Sequence, residues 1–134
     1  MAIFKITPAT SRSNLIDAFG PPADDTPGAD TLIVDPGAFL ISTAVGRGAF
    51  LANTGAWTVT VNGSIVSQNN FGIFLVGGNV GVSTIKIGVN GEVSGAAGVF
   101  LAGSANINNA GEISGTLNGI VVGFICFSAA ATIR

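Results

Sequence analysis

Histidine and tyrosine are absent from the chain, and cysteine, methionine and tryptophan occur once each. Without histidine or a second cysteine, the usual zinc and iron sites lack their ligands. The lone Cys126 cannot form a disulfide within the chain and is read as a buried structural thiol. Charge is also scarce: 9% of residues are acidic or basic, and the net charge is −2. The five basic residues, Lys5, Arg12, Arg47, Lys86 and Arg134, are scattered. They leave no electrostatic footprint for nucleic acid or for an anionic membrane. Apolar stretches are broken by glycine, serine or asparagine well short of about 18 residues, so no membrane-spanning helix is expected. Met1–Pro8 has neither a basic n-region nor an apolar run of the required length, so export through a cleaved N-terminal signal is not expected either.

What is abundant is apolar residues, at 48%, and glycine, at 20 positions in 134. The first excludes a disordered chain, and the second disfavours helices while suiting turns and tightly coiled sheets. The length fits one domain. Two short phrases alternate along it. Gly48-Ala49-Phe50-Leu51 returns as Gly72-Ile73-Phe74-Leu75, Gly98-Val99-Phe100-Leu101 and, loosened, Gly119-Ile120-Val121-Val122. Between the copies stand Asn62-Gly63-Ser64-Ile65, Asn90-Gly91-Glu92-Val93 and Ala110-Gly111-Glu112-Ile113. Phrases alternating in fixed order mark a repeat protein in which each copy builds one unit.

Aligning Gly37, Gly63, Gly91 and Gly111 yields rungs of 29–52, 53–77, 78–102 and 103–123. It places Ile33, Val59, Ile87 and Ile107 in one apolar column and Phe39, Ile65, Val93 and Ile113 in another, with smaller or polar residues between. Apolar and polar positions alternating at period two are what a half-buried strand requires. A period of roughly 20–28 residues suits a parallel β-helix with like residues stacked about 4.8 Å apart. The expected fold is therefore all-β, a right-handed parallel β-helix (β-solenoid) of about four coils with a short N-terminal cap. Residues 1–28 read as cap and linker, with a short strand near Ile3, a helical turn over Ser13–Phe19 and a polar connector. Residues 29–134 read as the solenoid, with 124–134 as an apolar closing strand.

Val89-Asn90-Gly91-Glu92-Val93-Ser94-Gly95, Ile107–Gly115 and Asn118-Gly119-Ile120 resemble coils of bacterial right-handed parallel β-helices, such as autotransporter passengers and haemolysin-like repeat proteins. The resemblance spans about 29–123. It implies the coil and an extracellular or cell-surface setting. It does not imply an activity, because that family includes adhesins, proteases, toxins and scaffolds.

Glu92 and Glu112 share a rung position and are either a carboxylate pair for glycoside cleavage or calcium, or two outward polar residues; no aromatic platform or further acidic cluster accompanies them. Thr58-Val59-Thr60-Val61 resembles one row of a threonine-rich ice-binding β-helix, but the copies at Thr84 and Asn106 do not repeat it in full. No catalytic, cofactor or metal site is expected, and the chain is expected not to be an enzyme. The phenylalanines stand out more. Strand alternation sends Phe50, Phe74 and Phe100 to the side opposite Leu51, Leu75 and Leu101. An outer aromatic column needs a cover, either the chain's own Phe4, Phe19 or Phe124–Phe127 segments or a second copy. The ends carry further apolar residues, Ile3, Phe4 and Ile6 at one and Phe124, Ile125 and Phe127 at the other. An uncapped coil is a template for another chain. The expected role is a structural subunit that stacks head to tail into a filament or surface fibre, with identical subunits as partners. The alternative is an adhesin-like or phage-fibre-like module that binds a glycan or host surface.

Overall fold

In the computed structural model, which describes residues 2–14, 30–43, 48–52, 55–75, 81–123 and 131–134, the alternating segments form strands and every strand pair is parallel. Among the described residues there is no α-helix. One sheet runs β1 (Ile3–Ile6), β3 (Thr31–Val34), β6 (Thr58–Val61), β9 (Ser83–Ile87), β11 (Ala105–Asn109), β13 (Ala131–Ile133). The other contains β2 (Arg12–Asn14), β4 (Phe39–Ser42), β5 (Gly48–Ala52), β7 (Ser64–Ser67), β8 (Phe71–Leu75), β10 (Glu92–Leu101) and β12 (Glu112–Val122). The chain alternates between sheets at each turn, so consecutive copies stack as β3–β4–β5, β6–β7–β8, β9–β10 and β11–β12. The fold is a parallel β-solenoid.

In β10 the two short strands of earlier turns fuse: Glu92–Ser94 pair with β7, and Ala97–Leu101 pair with β8. β12 follows β10 but carries one extra residue between Gly115 and Asn118, opposite the single Ala96. That bulge throws Leu117 outward, where it is 79% exposed.

Alternation operates as the sequence implies. The inward side chains form columns through the core: Leu32–Val59–Ile85–Ile107, Val34–Val61–Ile87, Leu40–Ile65–Val93–Ile113, Phe50–Ile73–Val99–Ile120 and Ala52–Leu75–Leu101–Val122. Two glycine-based columns need correction. Ile33 lies beside Thr60 rather than Val59, and Phe39 beside Ser64 rather than Ile65, with Leu32 and Leu40 taking the inward places. Ile87 pairs with Val61, and the neighbour of Val59 is Ile85. The reason lies in the corners. Gly37, at φ 76°, closes an Asp35-Pro36-Gly37-Ala38 turn in which Ala38 N–H donates to the Asp35 carbonyl (3.0 Å), so Ala38, not Gly37, corresponds to Gly63. Gly88 and Val89 lengthen the next corner by two residues. A one-residue slip changes the face of every side chain in a strand.

The segment expected as cap and linker contributes to both sheets: β1 lies in register on β3, and β2 on β4. A 3-10 turn at Pro8–Thr10, capped by Thr7 and Thr10, makes its corner where later coils use glycine. Buried Asp30 anchors its start by accepting the Ala2 N–H at 2.6 Å. Of the helical turn expected over Ser13–Phe19, Ser13 and Asn14 belong to β2 and the rest lies outside the described residues. Of the closing strand expected over 124–134, Ala131–Ile133 form β13, paired with β11, and 124–130 lie outside the described residues.

Candidate self-association surfaces

The outer aromatic face is built by β8 and β10. Phe74 and Phe100 are partners in register, continued by Val121 of β12. Their rings stack at 4.9 Å, and Phe71 packs on both, at 5.2 Å from Phe74 and 4.8 Å from Phe100. All three rings are half-buried. Phe71 precedes the repeated phrase, so the repeat alone does not mark it.

Phe50 does not belong to this face. It is fully buried, in register with Ile73, and meets Trp57 edge-on at 5.2 Å. Gly48 pairs with Phe71 rather than with Gly72, so β5 sits one residue away from the register the repeated phrase implies. The shift buries a phenylalanine against the only tryptophan of the chain and turns Leu51 outward beside Phe74. Phe4 is likewise no cover for the outer face, since it stacks on Trp57 at 5.9 Å. Phe19, Phe124, Ile125 and Phe127 lie outside the described residues. Because an outward ring is only half in contact, Phe74→Ala is expected to cost about 1–2 kcal/mol in a urea titration, against roughly 3–5 for a fully buried phenylalanine.

The two ends differ. At the N-terminal end, Ile3 is 68% exposed, Phe4 half-buried and Ile6 buried. Lys5 reaches Asp35 at 3.2 Å in an ion pair too exposed to add much stability. Arg12 is in register with Leu40 and so heads a core column. At the C-terminal end, β12 presents eleven residues with Glu112 as their one charge, and no described strand pairs with its far side. Ile113 and Ile120 are half-buried and Val122 is 37% exposed, so three core columns run open to this edge.

The chain matches no known protein family, curated protein or solved structure.

Glu92 and Glu112 are neighbours in register. Glu92 accepts the Ser94 hydroxyl at 3.3 Å, and Glu112 is exposed. Among the described residues, no group of three or more His, Cys, Asp or Glu is placed to hold a metal ion. A separate shallow groove of about 340 Å³ follows the corner of the second sheet, lined by Ser67, Gln68, Ser94, Ser114 and Thr116 with Gly95 and Gly115. On the first sheet, Thr31, Thr58 and Thr84 fall in one outward column, continued by Asn106. The glycine alignment hid this threonine row, because it misplaced β3 and β9 by one and two residues. The adjacent column, Ile33–Thr60–Lys86–Asn108, is mixed.

Proposed function

We propose that the chain is a non-enzymatic structural subunit that associates end to end with copies of itself, building a filament or surface fibre. The observation that carries this reading is the C-terminal edge, where core columns ending at Ile113, Ile120 and Val122 meet the side of an eleven-residue strand with which no described strand pairs. A parallel solenoid satisfies an edge strand by adding another parallel strand, and another coil extends each apolar column by one residue. Joining unlike ends is a heterologous contact, and one that does not close on itself propagates. The half-exposed Phe71–Phe74–Phe100 cluster supports lateral contact between such stacks. The likeness of the coils at Val89–Gly95 and Ile107–Gly115 to bacterial secreted β-helix proteins supports an extracellular or cell-surface setting.

Sedimentation across a wide concentration range, with negative-stain microscopy, tests the proposal. The expected result is a concentration-dependent series leading to elongated particles, whereas discrete monomers or closed trimers throughout would exclude it. Val122→Lys sharpens the test. The monomer can turn the ammonium to water from a position already 37% exposed, so stability should change by less than about 1 kcal/mol. A joint would bury that charge, and the concentration needed for assembly should rise at least tenfold.

The hydroxyl- and amide-lined groove at Ser67, Gln68, Ser94, Ser114 and Thr116 favours a second reading, an adhesin-like or phage-fibre-like module that takes a glycan. Under that reading, Gln68→Ala abolishes binding to a glycan array and leaves the sedimentation profile unchanged.

A further inference from the structure

The strand that closes the C-terminal end of the first sheet matches the strand that opens it. β1 places Ile3, Phe4 and Lys5 beside Thr31, Leu32 and Ile33. Followed through β6, β9 and β11, that register puts Thr132 in the column of Ile3 and Ile133 in the column of Phe4. Arg134 N–H donates to the Ile107 carbonyl (2.8 Å) and its carbonyl accepts from Asn109 N–H (2.9 Å), which sets it opposite Asn108, in the column of Lys5. Ala2-Ile3-Phe4-Lys5 and Ala131-Thr132-Ile133-Arg134 therefore present one order at the two ends: alanine, β-branched residue, apolar residue in an inward column, cation.

The backbone agrees. The carbonyls of Ala2 and Ile6 accept from the N–H groups of Thr31 and Asp35, both at 2.9 Å. Alternation along a parallel strand then turns the N–H and C=O of Ile3 and Lys5 to the opposite edge, where no described strand pairs. These are the positions that Thr132 and Arg134 occupy, and Arg134 uses its own groups on β11. β1 and β2 belong to one turn of the coil, as do β11 and β12. While β13 is in place, a second copy docked on the first sheet stands one strand, about 4.8 Å, too far for its β2 to reach β12. With β13 released, both sheets join at once.

We propose that the outer edge of β11 is an acceptor site for β1 of a second copy, and that β13 shuts it in the single chain. β13 is held by three residues, and Ile133 is 57% exposed, so its release disturbs little else. The proposal rests on the end-to-end association argued above.

The test uses the full chain with Thr132→Pro, which removes an N–H directed at β11, and a fluorescent peptide of Ala2–Thr7 as the probe. The variant should bind the peptide at least tenfold more tightly than the wild type. The Asn109 amide should exchange faster in the variant and regain protection when the peptide is added. Ile133→Asp, which weakens β13 through its side chain, should behave the same way, and a peptide with Lys5→Pro should not bind. Equal peptide affinity in wild type and both variants, with the Asn109 amide released, would overturn the proposal. End-to-end assembly that persists without peptide binding also overturns it and leaves the end-to-end reading standing. Peptide binding without assembly supports the acceptor site and removes that reading.

Discussion

Phe50→Ala is expected to destabilise the solenoid by about 3–5 kcal/mol, a large part of the 5–15 kcal/mol typical of a single domain. Phe50 is fully buried, heads the column Ile73–Val99–Ile120 and packs edge-on against Trp57. Removing the ring loses its transfer free energy and leaves a cavity whose walls are backbone-paired strands, which cannot collapse freely. All five residues of β5 are buried, so water has no ready path to fill the space. Urea unfolding followed by far-ultraviolet circular dichroism measures the loss without relying on Trp57, whose emission the substitution would itself alter. The comparison with Phe74→Ala decides the matter. If the two cost the same, Phe50 is not the interior member of the set.

Gly91→Ala is expected to cost about 3 kcal/mol, although it adds one methyl group. Gly91 occupies the corner between β9 and β10, directly over Gly63 and under Gly111. A Cβ at Gly91 would run into the Val61 carbonyl oxygen, and one at Gly111 into the carbonyls of Gly88 and Gly91. These obstacles are backbone atoms held in the hydrogen bonds that join successive coils: Gly88 N–H donates to the Val61 carbonyl at 2.8 Å, and Glu112 N–H to the Gly91 carbonyl at 2.9 Å. Relief would separate the coils along the whole corner. Gly119→Ala is the control. The nearest atom to its added Cβ is the Ile113 carbonyl oxygen at 3.4 Å, so that variant should stay within about 1 kcal/mol of the wild type. Equal losses in both variants would mean that the corner is not where backbone approach is limiting.

The two predictions draw on different kinds of information. Gly63, Gly91 and Gly111 were legible because the same close backbone approach recurs at three successive corners and the glycine recurs with it, whereas Ala38 takes the equivalent place in the first coil. The outward place of Phe74 and Phe100 was legible for a similar reason: alternation assigns faces once a strand is recognised. Phe50 was not, because its phrase looks the same as theirs while its strand is shifted by one residue. Nor was Phe71 or the threonine row, since both depend on which residue of one coil lies over which residue of the next. The match between Ala2–Lys5 and Ala131–Arg134 is too short and too loose to be seen as a repeat.

By itself the sequence determined that this chain is a parallel β-solenoid, that side chains alternate inward and outward along each strand, and that the corners at Gly63, Gly91 and Gly111 hold glycine. Those properties follow from local periodicity and from steric limits repeated at each coil. Tertiary structure decided the register between coils. Register depends on the lengths of the corners and on which ring fits beside Trp57, and neither is written in the period of the pattern. It placed Phe50 inside and Phe71 outside, and it brought β1 and β13 to equivalent positions at opposite ends of one sheet.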